Sequence, residues 1–330
     1  MAADPAFWEV FARSGNSRSW QLVTPPGVAD NGGLVASAGA AKSLTIAVRP
    51  SQDLVFSPLA VTANGGASWS TGGPINAAVA PTPDALAAHG SDLAALLSDG
   101  AIETSSDVGA TWSTLAKPGA IAVSPAARGC GGAVRVTSLS FGMTSSEVLA
   151  GGTCGTSGTT AIFSYSPGTG WQRLNLPASG QLVRLTDGMA LVRGKSGLAA
   201  LWRGTGWYAY APLSATPQPV PTNWDESAPL PAADGIIASG TLQAGGAWVL
   251  LPGGRAATVS LTGTTARGAQ WLVLPPVPAR TSVLASGPDG ATDALAVSGA
   301  TLTVWRLAPK ATAWSKVQAI TVPIQAGSSS

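Results

Sequence analysis

Two eight-residue segments of this chain are close copies of each other, and they constrain its fold more than any other feature. The segments are Thr62–Trp69 (TANGGASW) and Ser105–Trp112 (SSDVGATW). They share the pattern Ser/Thr-x-Asp/Asn-x-Gly-x-Ser/Thr-Trp, so five of the eight positions are constrained in both copies. Because the copies end 43 residues apart, the pattern indicates a repeat architecture with units of that size.

The residue types in this pattern suit a tight turn between two strands. The short side chain of Asn64 or Asp107 can accept hydrogen bonds from backbone N–H groups a few residues further on. Gly66 and Gly109 reach positive φ without strain. The tryptophan that ends each copy then starts the next strand and covers apolar surface between sheets. The pattern therefore predicts a hairpin and does no chemistry of its own.

Weaker copies extend the repeat along the chain. They are Ser164–Trp171, Thr264–Trp271 and Ala200–Trp207, and little beyond the tryptophan remains near Trp20 and Trp314. The markers then lie at positions 20, 69, 112, 171, 207, 271 and 314. Four-stranded propeller blades repeat at roughly 40–50 residues. The seven markers predict an all-β chain forming a single β-propeller of seven four-stranded blades, with six or eight as alternatives.

A second recurrence accompanies the tryptophans. The segments Ile46–Pro50, Ala77–Pro81 and Ile121–Pro125 each combine small apolar residues with a final proline. Because the strand nearest the axis of a propeller must be narrow, we interpret these segments as innermost strands.

The eight-residue pattern resembles the Asp-box, also called the BNR repeat, of sialidases and other β-propellers. The resemblance implies a sialidase-like fold whose turn residues are structural and lie between the third and fourth strands of a blade. Those structural residues are Thr62, Asn64, Gly66 and Trp69 in one copy, and Ser105, Asp107, Gly109 and Trp112 in the other.

The resemblance does not extend to the sialidase catalytic motif. The Arg-Ile-Pro segment of sialidases is missing, and Val48-Arg49-Pro50 comes nearest to it. The tyrosines, at positions 165, 208 and 210, lie near blade markers rather than on a separate catalytic strand. The single histidine, His89, has no cluster of ligand-type residues around it. We therefore predict no catalytic residues, no metal site and no cofactor.

Charge and hydropathy restrict the partners. Only 10% of the residues are charged, the net charge is +2, and the basic residues are scattered, so nucleic acid is a poor candidate. Apolar runs are too short to span a membrane. Met1–Pro5 lacks the basic start and apolar run of a signal peptide, and we interpret it as the start of a trimmed, exported sequence.

The two cysteines support export. Cys130 and Cys154 flank two strand-like runs, Val134–Phe141 and Glu147–Ala150. Antiparallel pairing of these runs about the turn at 142–146 would bring the cysteines together, which predicts a disulfide. Two unrelated buried thiols are the alternative. An even cysteine count suits an oxidising compartment such as the periplasm, the cell envelope or the extracellular space.

One region departs from the repeat. Residues 212–231 include six prolines, a density that excludes a central strand and predicts a long loop between blades. Trp224, Asp225 and Glu226 in this region are the candidate ligand contacts, although a simple spacer is the favoured interpretation. Residues 1–324 are expected to form the propeller and residues 325–330 a disordered tail.

These observations favour binding over catalysis. We expect a non-enzymatic, exported scaffold that holds a protein or glycan partner on a rigid face. A sialidase-type glycoside hydrolase is the alternative, and a structural module of a larger surface assembly is a third possibility.

Overall fold

The structure of the chain is a computed structural model. It describes residues 10–13, 19–25, 34–40, 43–48, 59–71, 83–142, 144–174, 176, 180–186, 189–194, 197–203, 224–226, 230, 235–242, 246–260, 271–287 and 289–321.

Seven antiparallel sheets account for nearly all the regular structure in these residues. The first sheet has the strands β1 (Phe11–Ala12) and β2 (Gln21–Leu22). The second has β3 (Leu34–Ala40), β4 (Ser43–Val48), β5 (Leu59–Thr62) and β6 (Ser70–Thr71). The third has β7 (Pro83–His89), β8 (Asp92–Leu97), β9 (Ile102–Ser105) and β10 (Ser113–Ala116). The fourth has β11 (Val134–Phe141), β12 (Val148–Cys154), β13 (Thr159–Ser166) and β14 (Gly170–Leu174).

The remaining three sheets follow in chain order. They are β15 (Gln181–Thr186), β16 (Met189–Gly194), β17 (Gly197–Arg203) and β18 (Trp224–Glu226); β19 (Ala238–Thr241), β20 (Gly246–Leu251), β21 (Arg255–Ser260) and β22 (Leu272–Val273); and β23 (Thr281–Ser286), β24 (Thr292–Ser298), β25 (Thr301–Leu307) and β26 (Ser315–Thr321). The helix α1 (Ala120–Val123) and short 3₁₀ turns at Pro125–Ala127 and Pro252–Gly254 lie between strands.

The order of strands within each sheet is the order of the chain. Consecutive four-stranded antiparallel meanders are the blades of a β-propeller. The fold class and the count of seven are confirmed, and six of the sheets have the four predicted strands. The first sheet has two strands within the described residues.

The tryptophan markers lie where the repeat predicts. Trp20, Trp69, Trp112, Trp271 and Trp314 each immediately precede the fourth strand or its equivalent, and Trp171 lies on β14. Trp207 lies outside the described residues. In its sheet the fourth strand begins instead at Trp224, since β17 ends at Arg203 and β18 begins only at Trp224.

Two local predictions were wrong. Ile121–Pro125 does not form an innermost strand, because Ala120–Val123 is a turn of α-helix followed by a 3₁₀ turn. Ile46 lies on β4, the second strand of its sheet, and Ala77–Pro81 lies outside the described residues. The segment 212–231 is also not loop throughout, since Trp224–Glu226 is strand β18 and Leu230 bridges to Leu198.

The chain divides into two compact units: Met1–Val192 with Trp202–Trp224, and Arg193–Leu201 with Asp225–Ser330. A single propeller domain over residues 1–324 stays a prediction, and the tail 325–330 lies outside the described residues. No helix among the described residues is long and apolar enough to cross a bilayer.

In the first unit, small and branched apolar residues pack the third sheet against the fourth. Leu96 and Ile102 from one sheet and Ala150 and Phe163 from the other belong to one buried cluster. Strand β7 lies alongside both β3 and β11 in this unit, so these first strands are neighbours. Burial of this apolar cluster stabilises the packing of the third sheet against the fourth.

The predicted disulfide between Cys130 and Cys154 is confirmed. Val134 pairs with Cys154 across β11 and β12, and the turn before Val134 places the Cα of Cys130 4.8 Å from that of Cys154. Both cysteines are buried in the cluster described above, together with Ile121 and Ala127 of the linker. The disulfide therefore fastens the linker between the third and fourth sheets to the end of β12.

In the second unit, a buried ion pair joins β24 to β25. Asp293 is fully buried and faces Arg306 across the two strands. The guanidinium donates from Nε to Oδ1 at 2.8 Å and from Nη2 to Oδ2 at 3.1 Å. The hydrogen bonds to Asp293 raise the pKa of Arg306. Since a slip of one residue would separate the two charges, the pair fixes the register of these strands.

Candidate functional site

The two close sequence copies form the same turn, between the third and fourth strands of their sheets. In the second copy, Ser105 Oγ donates to Asp107 Oδ1 at 2.7 Å and accepts from the Gly109 N–H at 2.8 Å. Thr111 donates to the same carboxylate from its N–H at 2.8 Å and from its hydroxyl at 2.6 Å. Every polar group that the sequence pattern specifies is thus used inside the turn.

The first copy repeats these bonds with an amide in place of the carboxylate. Thr62 Oγ1 donates to Asn64 Oδ1 at 2.9 Å, and the Ser68 N–H donates to the same oxygen at 2.9 Å. Asn64 Nδ2 donates to Ser68 Oγ at 2.7 Å. The indole of Trp69 donates to the carbonyl of Val23 at 2.7 Å, which ties this turn to the first sheet. These turns hold the fold together and offer no free reactive group.

Hydrogen bonds from Thr111, and then from Ser105, lower the pKa of Asp107 from 3.8 to about 2. The folded state therefore stabilises the ionised form of the Asp107 side chain more than the unfolded state does. That contribution to stability is fully present above pH 3.8 and is lost as the pH falls through about 2.

A pair of substitutions tests this role. Asp107→Asn is expected to lower the melting temperature less than Asp107→Ala, because Asn64 makes the equivalent bonds in the sister turn. Asp107→Asn should also lose less stability than the wild type between pH 4 and pH 2, since it has no carboxylate to protonate at this position. Thermal melts at several pH values measure both effects. Equal losses for the two variants would contradict the role given to the turn.

The feature that marks a candidate surface is a bulge near the start of the first strand in several sheets. The pairing of first with second strand shifts between Leu34 and Ala36 on β3, and between Pro83 and Ala85 on β7. On β11 it shifts between Val136 and Ser138. In the second unit, β23 has the same shift between Thr281 and Val283. Bulges re-aim side chains and are over-represented next to binding and active sites.

In the first unit the bulges turn polar side chains into solvent. Asp84 is the extra residue on β7 and Thr137 the extra residue on β11, and both are exposed. Arg135, two residues before Thr137, is also exposed. Since β7 and β11 are neighbours, we define Asp84, Arg135 and Thr137 as the bulge face. It combines a carboxylate, a guanidinium and a hydroxyl on rigid strands.

Two glycines make the bulge on β11 possible. A Cβ on Gly152 would lie 1.9 Å from the carbonyl oxygen of Arg135, so the bulged backbone sits directly against this glycine. A Cβ on Gly151 would lie 2.6 Å from Leu182 on β15. Gly152 therefore allows the close approach of β11 to β12, and Gly151 allows the close approach of β15.

The sequence prediction did not find the bulge face. Bulges shift strand pairing by one residue and leave no distinct residue pattern in the sequence. The candidate contacts that the sequence did suggest, Trp224, Asp225 and Glu226, lie on β18, the fourth strand of its sheet. Their role in ligand contact stays a prediction.

Glu103, Glu147 and Tyr165 make contacts within their own sheets. Glu103 is buried on β9 and accepts from the Thr114 hydroxyl at 2.8 Å. Glu147 accepts from the Ser164 hydroxyl at 2.7 Å. The ring of Tyr165 packs 5.3 Å from that of Trp171. Within the described part of the chain, no group of three or more His, Cys, Asp and Glu side chains could hold a metal ion.

Comparison with known proteins bears on the fold alone. No family model matches the chain. No curated protein matches it either. Among solved structures, a Bacteroides uniformis protein assigned as a 6-phosphogluconolactonase is 11% identical, with a TM-score of 0.52 over 95% of this chain and 92% of that one.

Two further structures are similar at lower scores. YCF48 bound to a D1 peptide is 14% identical, with a TM-score of 0.48 over 86% of this chain and 81% of that one. A protein from Lactobacillus plantarum is 13% identical, with a TM-score of 0.49 over 95% and 96%. The likeness to the Bacteroides uniformis structure, at 11% identity, supports the β-propeller fold and nothing further.

Proposed function

We propose that this chain is a non-enzymatic, exported binding propeller of the Asp-box type that holds a protein or glycan partner on its bulge face. The observation that carries this proposal is the bulge at equivalent places on β3, β7 and β11. A register shift repeated at one end of neighbouring strands gives a rigid set of re-aimed side chains. Sites built on strands position their side chains better than sites on loops.

The chemistry of the bulge face supports binding. Asp84 and Arg135 offer one negative and one positive charge. The Thr137 hydroxyl donates to the Gly151 carbonyl at 3.5 Å and offers its oxygen as an acceptor. Such mixed groups can hydrogen-bond a peptide backbone or sugar hydroxyls. The carboxylates of Glu103 and Glu147 are engaged with Thr114 and Ser164 on other strands.

Two further observations support the remaining parts of the proposal. The buried disulfide is typical of proteins that fold in an oxidising compartment, which supports export. The matching hydrogen bonds of the Asn64 and Asp107 turns support the Asp-box type.

The proposal predicts the effect of a triple substitution. Peptide libraries displayed on phage and an oligosaccharide array are screened with the wild-type protein, and the best binder is then titrated against variants. Asp84→Ala/Arg135→Ala/Thr137→Ala should weaken binding at least about tenfold, since losing contacts in the centre of an interface costs well over 1 kcal/mol.

The matched control is Ser113→Ala/Lys117→Ala/Arg128→Ala, which also truncates three exposed side chains, on β10 and the following linker. It should change affinity by less than about twofold. Equal affinities for the bulge-face variant and the control would contradict the assignment of the face. If the wild type hydrolyses a fluorogenic sialoside and Arg135→Ala abolishes that turnover, the proposed binding function is wrong and the chain is a glycoside hydrolase.

A further inference from the structure

The turn between β5 and β6 contains an asparagine followed directly by a glycine. These residues, Asn64 and Gly65, are both exposed to solvent. The backbone nitrogen after an asparagine can attack that asparagine's own side-chain carbonyl and close a five-membered succinimide ring. A Cβ on the following residue hinders this attack, and glycine has none. The sequence Asn-Gly therefore places a chemically labile amide at the surface of the second sheet.

Two donors polarise the side-chain carbonyl of this asparagine. The Thr62 hydroxyl and the Ser68 N–H each donate to Asn64 Oδ1 at 2.9 Å. The Thr62 oxygen is itself held in place, because it accepts from the Gly66 N–H at 3.0 Å. Negative charge develops on Oδ1 when a nucleophile adds to Cγ, and fixed donors at such an oxygen lower the barrier to the addition. The turn therefore activates Cγ of Asn64.

The Asp107 turn shows that a carboxylate fits at the position of Asn64. Asp107 Oδ1 accepts from the Ser105 hydroxyl at 2.7 Å and from the Thr111 N–H at 2.8 Å, the counterparts of the two donors to Asn64. The Thr111 hydroxyl donates to the other oxygen at 2.6 Å, whereas Ser68 Oγ accepts from Asn64 Nδ2 at 2.7 Å. An aspartate at position 64 would therefore keep the turn if the Ser68 hydroxyl donated instead of accepting.

We propose that Asn64 is a site of spontaneous deamidation, at which the folded chain converts the amide into the aspartate that the Asp107 turn already has. The Gly65 nitrogen bonds to Cγ and gives its proton to a solvent base, and the Cγ–Nδ2 bond breaks to release ammonia. Water then adds at Cγ, the new bond to the Gly65 nitrogen breaks, and that nitrogen regains a proton. One water is consumed, one ammonia is released, and nothing is oxidised or reduced.

The conversion changes the charge of the turn. It lowers the net charge of the chain from +2 to +1. Hydrogen bonds to an ionised carboxylate are stronger than those to an amide, so the product turn is held at least as firmly as the original. The same turn carries Trp69, whose indole donates to the Val23 carbonyl at 2.7 Å. The modification therefore acts where the second sheet is tied to the first.

Peptide mapping by mass spectrometry tests the proposal on the folded protein, incubated at mildly alkaline pH beside a synthetic peptide that copies residues 61–69. Mapping keeps this site apart from the Asn31-Gly32 pair of the sequence. The folded chain should lose the Asn64 amide at no less than about a tenth of the peptide's rate, because a reaction that needed the turn to open would be slowed by the opening equilibrium. A lower rate would overturn the proposal. The ratio of aspartate to isoaspartate should be higher in the protein, since the two donors favour addition of water at Cγ; equal ratios would place the reaction in the unfolded chain and overturn the proposal.

Two glycine substitutions separate the attack by the Gly65 nitrogen from backbone strain. Gly65 and Gly158 have φ values of +70° and +66°, so an alanine at either position is strained to a similar degree. Gly65→Ala should slow the loss of the Asn64 amide at least about tenfold, because its Cβ hinders the attack. Gly158→Ala should leave the rate within about twofold of the wild type. Melting temperatures establish that both variants are folded. A Gly65→Ala rate equal to that of Gly158→Ala would overturn the proposal.

The fit of the product is tested with variants made directly. Asn64→Asp should melt at or above the temperature of freshly purified wild type at neutral pH, and Asn64→Ala should melt below both, because alanine removes the side-chain bonds to Thr62 and Ser68. Asn64→Asp melting as low as Asn64→Ala would mean that the turn rejects the carboxylate and would overturn the proposal. None of these measurements involves the bulge face, so this proposal and the proposed function fail separately.

Discussion

Gly152→Ala is expected to destabilise the chain severely, by about 4 kcal/mol or more, the range reached only by a few mechanisms such as backbone strain and core overpacking. The new Cβ would lie 1.9 Å from the carbonyl oxygen of Arg135 and 2.9 Å from the Cα of Val136. Both atoms belong to the backbone, so no side-chain rotation can relieve the clash. Urea unfolding, followed by tryptophan fluorescence, measures the loss.

Gly158→Ala is the matched control in the same sheet. Gly158 has a φ of +66°, and nothing lies within 4 Å of its added Cβ. Its substitution should cost only about 1–2 kcal/mol, from left-handed backbone strain. If Gly152→Ala were no worse than this control, the bulge on β11 would not have the close approach described here. If Gly152→Ala still folds partly, its bulge-face affinity should fall as well, because Arg135 and Thr137 would be displaced.

Much of the fold could be predicted from the sequence because it depends on repeated local chemistry. The turn at Asp107 uses only residues within a few positions of each other, so its pattern survives in the sequence. The strand Val134–Phe141 was predicted with its observed bounds because its residues have high β propensity and a glycine-rich segment precedes it. The disulfide followed from the pairing of that strand with the next.

Other elements have a weaker pattern in the sequence. Ile121–Pro125 is apolar and rich in small residues, a composition that suits a strand or a helical turn, and the segment forms a turn of helix. The fourth strand of the β15–β18 sheet begins at Trp224, far along the chain from β17, so its repeat spacing is lost. The bulge face depends on one-residue register shifts, which no composition reveals. The fold was therefore accessible from sequence, whereas the candidate site was not.

Removal of the disulfide is expected to have the other large effect. The cysteines are separated by 24 positions, and closing a loop of that size contributes about 3–4 kcal/mol by the chain-entropy estimate. Cys130 and Cys154 are both buried beside Ile121 and Ala127. Losing the bond therefore also frees the linker that these residues hold against the sheets.

The double variant Cys130→Ala/Cys154→Ala measures this contribution without leaving a lone thiol. Its urea midpoint should fall by an amount equivalent to about 3–4 kcal/mol, and a reducing agent should not lower it further. The wild type, unfolded and refolded with reducing agent, should approach the stability of the variant. An unchanged midpoint would mean that packing of the linker alone holds this part of the chain. A lowered midpoint would make oxidation a requirement for full stability, as expected of a protein that works outside the reducing cytosol.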